Sequence, residues 1–211
     1  MHLIKANHDR AVELSGVAGP VPRPVDIDQT STQFGTLRTL RVYRFSSPAV
    51  IDGHAEGDEV LIVVLAGSVD LVMRSENWTN SDTSFRLKAA NDHEAVACAA
   101  YLPPHAEYRL TPLMAAEVAY ARASSTGTRA PGIVTSAPRM EDPGVCVLFE
   151  ESSHAERLRC RLIQVNAGPQ SVAVAPIRDC DRPCEALIHV RTRPERSAVS
   201  IATEGDRKSV V

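Results

Sequence analysis

The sequence predicts an all-β protein, an antiparallel barrel or sandwich followed by a second, smaller β-unit. Three observations predict it. Short apolar runs rich in β-branched residues recur at close spacing, with Pro, Gly, Asn and Ser clusters between them. The stretch from Gly53 to Leu71 places a polar segment ahead of an unbroken apolar run, Val60 to Ala66, closed by Gly67. A Ser-, Thr-, Gly- and Pro-rich segment, residues 124–144, interrupts the strand rhythm, which then resumes.

Taken in order, residues 1–36 read as an irregular, extended arm, because Pro20, Pro22 and Pro24 break any helix. Strand structure starts near Thr36, and Leu37 to Phe45 alternates on mixed faces before Ser46-Ser47-Pro48 ends it. Val60 to Ala66 reads as a strand buried on both faces, and Ser68 to Met73 as its hairpin partner across Gly67. Glu76 to Thr83 is a polar loop, with Trp78 expected against the barrel mouth. Further strands are expected at Ser84 to Leu87, Ala95 to Leu102, Glu107 to Leu110 and Glu117 to Ala121. After the linker, five more are expected between Val145 and Thr203. The domains are then a 1–36 arm, a 37–123 barrel, a 124–144 linker and a 145–211 unit, the last short for an independent closed barrel.

Composition narrows the function. The 211 residues are 44% hydrophobic and 23% charged, as in ordinary globular proteins. A net charge of −3 without a basic run argues against nucleic-acid binding. No segment is long and apolar enough to span a membrane. The N-terminus lacks the apolar core of a secretory signal, giving a cytoplasmic location by default. Five cysteines without a framework spacing fit reduced thiols.

The candidate site lies at the mouth of the buried strand. His54, Glu56 and Glu59 offer an imidazole and two carboxylates, a donor set suited to Mn, Fe or Zn, but a fourth ligand is missing. Against this stands a solvated polar loop. His105, on the facing strand, would complete the site, but one position off the expected register it is expected at the rim pointing away. Arg38, Arg41, Arg44, Arg86 and Arg109 lie on strands, and one or two pointing inward would bind a carboxylate; for most, surface charge is the simpler reading. Cys180 and Cys184 in C-D-R-P-C suggest redox or zinc chemistry but have no second Cys or His pair, and Asp179, Asp181 and Glu185 fit a solvated turn better than an oxygen-ligand site.

The order G-H-A-E-G-D-E, V-L-I-V-V-L-A-G and then A-A-Y-L-P-P-H-A-E-Y resembles the two motifs of the cupin superfamily. The spacing E-x7-G from Glu59 to Gly67, with Y-L-P-P at Tyr101 to Pro104, is most similar to the N-terminal half of the 5-deoxyglucuronate isomerase family, bicupin enzymes of inositol breakdown. Leu40 to Phe45 and E-V-A-Y-A-R-A, Glu117 to Ala123, fit the same layout, so the resemblance covers residues 37–123. It implies a jelly-roll barrel and a sugar-acid ligand. The sequence departs from the pattern where it matters for chemistry. The third motif histidine falls on Tyr108 and the motif glycine on His105. The family associates metal and chemistry with its C-terminal cupin, where Asp179, Asp181 and Glu185 stand here without a histidine.

Two functions are therefore expected. One is an aldose–ketose isomerase acting on a uronate, with Glu59 and His54 as catalytic groups and Glu56, Tyr108 and His105 as ligand contacts. The other is a cupin without chemistry, binding a small molecule or serving assembly. No metal is expected in the second unit, and weak binding or none in the first. A homodimer is expected, with the arm or a sheet edge at the contact.

Overall fold

Alternating and fully apolar runs become strands, and among the described residues there is no helix. The computed structural model describes residues 6–31, 35–74, 83–126, 129–142, 145–151, 155–158, 160–165, 201–203 and 206–210. Trp78, Asp179, Cys180, Asp181, Cys184 and Glu185 lie outside them, so the readings placed on those residues do too.

Two antiparallel sheets face each other in the double-sheet, jelly-roll arrangement. The larger has six strands, numbered here along the chain: β3 (Val25–Asp28), β4 (Leu37–Phe45), β6 (Asp58–Ala66), β9 (Ala97–Leu102), β11 (Ala116–Ser124) and β12 (Gly132–Thr135). Their spatial order is β12-β9-β6-β11-β4-β3. The smaller sheet runs β5-β10-β7-β8, with β5 (Ile51–His54), β7 (Ser68–Arg74), β8 (Thr83–Lys88) and β10 (Glu107–Pro112). A two-residue pairing, β1 (Ala11–Val12) on β2 (Val21–Pro22), precedes them. Among the described residues no helix is long and apolar enough to cross a membrane.

Between the sheets lies a core of Val60, Ile62, Val64, Val69, Leu71, Met73, Ala100, Leu102, Leu110 and Val118. Alternation assigns the opposite side chains of β6 and β9 to the outer face of the larger sheet. That face is covered as well. Leu61, Val63, Ala99 and Tyr101 pack with Phe149, Ala155 and Leu158. These three come from or near a third sheet of β13 (Arg139–Asp142), β14 (Val145–Glu151) and β15 (Cys160–Val165). Double coverage explains why Val60 to Ala66 is apolar without interruption.

The structure differs from the sequence reading at two places. β6 and β7 do not pair as a hairpin: they belong to different sheets, and Gly67 is the corner between them. Its φ is +72°, and a Cβ there would stand 2.2 Å from the Ala115 carbonyl oxygen, so only glycine fits. The larger sheet also reaches beyond residues 37–123. β3, from the proline-rich arm, pairs with β4, and β12, from the expected linker, pairs with β9. Val25 and Ile27 alternate with Asp26 and Asp28, a period-2 pattern obscured by the prolines just before it.

Candidate functional site

On a strand, neighbours in register share a face. This builds two polar rows on the inner side of the larger sheet. One runs Asp28–Thr39–Arg122–Val60–Leu102, the other Asp26–Arg41–Tyr120–Ile62–Ala100. Each row is polar toward β3 and β4 and apolar toward β6 and β9.

Cations gather at the β3 end of the second row. Asp26 is paired by Arg23 at 2.7 Å, Arg41 at 3.1 Å and Arg10 at 3.6 Å. Arg23 also lies over the Tyr43 ring, 5.9 Å from its centroid. Burial opposes the charge on Arg41, but Tyr43 and Asp26 outweigh it and raise its pKa. Tyr108, from the smaller sheet, faces Tyr120 with ring centroids 6.5 Å apart. Burial, reinforced by the neighbouring hydroxyl of Tyr120, raises the Tyr108 pKa strongly, and burial raises that of Tyr120. Both phenols are therefore hydrogen-bond donors at neutral pH. Tyr108 holds its place because Gly53 lacks a side chain: an added Cβ would stand 2.2 Å from its Cζ.

Arg122 closes the rim of the first row. One of its terminal nitrogens donates to Glu56 at 2.8 Å and to the Ala55 carbonyl at 3.1 Å, and is ion-paired with Asp58 at 2.9 Å. The guanidinium lowers the Glu56 pKa through its hydrogen bond and charge. Outside this clamp is an open basin of about 520 Å³ lined by Asp28, Gln29, Thr30, Arg38, Thr39, Glu56, Gly57, Asp58 and Arg122.

The expected site residues do not gather in one place. Tyr108 is inside the barrel, and Glu56 is at the rim on Arg122. His54 is exposed, on the outer face of the smaller sheet beside Asp52 and Arg109, and its Nδ1 accepts the Glu56 N–H at 2.8 Å. His105 is an exposed turn residue with φ +66°, its ring 6.5 Å from that of His54. Glu59 is fully buried on the far side of the larger sheet. Its Oε1 accepts the N–H groups of Arg157 and Leu158, at 2.6 and 2.5 Å, and its Oε2 that of Glu156 at 2.9 Å. The Tyr101 hydroxyl approaches Oε2 at 3.4 Å.

These placements correct the expectation that His54, Glu56 and Glu59 converge at the mouth. One residue separates Glu59 from the inward-facing Val60, and on a strand that single step reverses the face. A divalent metal does not fit the three donors, which point in three directions. Among the described residues no group of three His, Cys, Asp or Glu side chains could hold one. Of the strand arginines, Arg41 faces inward. Arg86 and Arg109 pair with Asp70 and Asp52 on the outside. Sequence reasoning passed over Tyr120 and Arg122, although A-Y-A-R-A carried a signal. Its small residues lie against the third layer, and the large ones face the interior.

The family model that matches the chain is KduI/IolB, over residues 21–142. The chain belongs to the KduI/IolB family. It is thereby a cupin, and the matched region spans the strands from β2 to β13. Similar solved structures include an IolB-like protein of Salmonella typhimurium LT2, 15% identical with a TM-score of 0.45, covering 65% of this chain and 51% of that one. Bacillus subtilis oxalate decarboxylase, a protein with Mn(II) centres, is 11% identical with a TM-score of 0.43, covering 60% of this chain and 32% of that one. The cupin domain of Schizosaccharomyces pombe Cnp3 is 13% identical with a TM-score of 0.38, covering 50% and 62%. The chain thus spans about half the length of the IolB-like protein and a third of the decarboxylase. No curated protein matches it.

Proposed function

We propose that this KduI/IolB-family cupin binds a sugar acid, held by arginines and phenols of the barrel's inner face and not by a metal. The observation that carries this reading is the Arg41–Tyr120 row with its neighbours. Three arginines surround the single carboxylate of Asp26, and Tyr43, Tyr108 and Tyr120 stand beside them. Guanidinium groups suit a carboxylate by charge and by fork geometry. Protonated phenols add donors, and the row continues into the apolar core at Ile62 and Ala100. Titration calorimetry with D-glucuronate and D-glucose tests it. Binding of the acid, lost in Arg41→Met and weak for the neutral sugar, is the expected result. Equal affinity for both sugars, or none for either, rejects the reading.

Family membership favours a second reading, aldose–ketose isomerisation of a uronate. Glu56, on the rim beside Arg122, is then the base that moves a proton between adjacent carbons. Glu59 has no part in it, since its oxygens are occupied by backbone donors. Turnover of a uronate, assayed with and without added Mn, Fe or Zn and abolished in Glu56→Gln, supports this reading. Binding without turnover supports the first.

We further propose a cytoplasmic homodimer whose residues 145–211 form a second β-unit. The thiols of Cys98 and Cys146, buried and outside any disulfide, fit a reducing compartment. β5 and β8 are sheet edges able to pair with another chain. A monomer mass by light scattering at micromolar concentration rejects the dimer.

A further inference from the structure

We infer that Thr39 and Arg122 form a subsite for a hydroxyl oxygen of a polyhydroxylated ligand, at the rim of the barrel. This rests on the reading that the barrel binds a sugar acid, and it sets which end of the ligand faces outward.

Thr39 and Arg122 are register partners on β4 and β11, so their side chains stand side by side on one face. Thr39 Oγ1 and Arg122 Nε are both buried and have no hydrogen-bond partner among the described residues. Buried polar atoms are nearly always paired, and two adjacent orphans call for a shared partner. The Nε–H can only donate, whereas the threonine hydroxyl can donate or accept. A ligand hydroxyl oxygen satisfies both: it accepts from Nε and exchanges a hydrogen bond with Oγ1. Both residues line the rim basin, which gives such a group a way in. Asp28 and Asp58 line it too, with acceptor oxygens for a neighbouring hydroxyl.

Charge decides the orientation. The basin holds three carboxylates, Asp28, Glu56 and Asp58, against two guanidiniums, Arg38 and Arg122. Around Asp26 the balance is reversed, three guanidiniums against one carboxylate. The rows of Thr39 and Arg41 are two residues apart on β4, about 7 Å. An acid group is drawn to the Arg41 row, and the uncharged polyol end is left for Thr39 and Arg122.

The test uses the full chain and two probes, D-glucuronate and the neutral polyol myo-inositol, with calorimetry on the wild type, Thr39→Val and Arg122→Lys. Thr39→Val keeps the β-branched shape and removes the hydroxyl. It is expected to weaken glucuronate about tenfold while its melting temperature stays at or above that of the wild type. Arg122→Lys keeps the charge, removes the Nε donor, and is expected to lose a similar factor. Should Thr39→Val fold poorly, Thr39→Ser restores the hydroxyl and should restore affinity relative to Thr39→Ala. Glucuronate affinity unchanged in Thr39→Val, as when water alone fills the space, overturns the subsite and leaves the sugar-acid reading standing. Binding of inositol but not glucuronate, with the same dependence on Thr39, keeps the subsite and rejects the acid. Thr39-independent binding of inositol overturns the subsite, and binding of neither probe overturns both.

Discussion

Glu59 accepts the backbone N–H of Leu158 at 2.5 Å, joining the start of β6 to a turn on the far side of the larger sheet. The same carboxylate takes the N–H groups of Glu156 and Arg157, so one side chain fixes the third layer onto the barrel. Replacing it with glutamine puts an amide NH₂ against backbone donors. Glu59→Gln is expected to lose about 2–4 kcal/mol of stability. Urea unfolding measures this, and limited proteolysis should cut first between residues 152 and 165. Stability within 0.5 kcal/mol of the wild type, an order-of-magnitude threshold for a surface change, contradicts the latch.

Gly53→Ala should dislodge Tyr108, since the added Cβ meets the ring at 2.2 Å. The expected cost is about 1–3 kcal/mol, with a changed near-ultraviolet dichroism from the Tyr108–Tyr120 pair. An unchanged tyrosine spectrum argues that the ring is not seated there.

Alkaline pH should unfold the protein through its phenols. Burial, with help from Tyr120 and from Glu59, raises the pKa values of Tyr108 and Tyr101 in the folded chain. The folded state then holds its protons more tightly than the unfolded state. Stability is full below the unfolded value of about 10 and falls as pH rises past it. Absorbance at 295 nm during alkaline titration should show these phenols ionising only with unfolding. Smooth ionisation near pH 10 without loss of structure contradicts the burial.

Thiol reactivity should follow burial. The Cys98 pKa is pushed up to about 12, chiefly by desolvation, whereas Cys160 is half-exposed. In native protein near pH 8, iodoacetamide should modify Cys160 well before Cys98. Mapping by peptide mass spectrometry that finds Cys98 first refutes the placement.

The strand sequence was legible because β-branched runs and prolines mark it residue by residue. Val60 to Ala66, Ala95 to Leu102 and Glu107 to Leu110 fall on β6, β9 and β10, the second of them starting two residues later, at Ala97. The corner at Gly67 was not legible, because a glycine after an apolar run serves a hairpin and a change of sheet equally well. Glu59 misled for a related reason. Its place beside an apolar run marks it as buried, but which face it takes depends on register across 42 residues to Tyr101 and 99 to Leu158. Arg122 could be read only together with Thr39, its neighbour on a strand far away in sequence.

The corner at Gly67 has a consequence for how the chain folds. Because β6 leaves one sheet and β7 enters the other, β6 has no sequence neighbour beside it in its sheet, and β7 has one only in β8. Val60 must meet Leu102 on one side and Arg122 on the other, and Leu71 must meet Leu110. These are distant closures, each reducing chain entropy before its contacts form. The barrel should therefore acquire both sheets in one cooperative and comparatively slow step, on the millisecond-to-second scale of proteins dominated by non-local pairing. An alanine at Gly67 should act on that step most of all, slowing the refolding measured after dilution from urea.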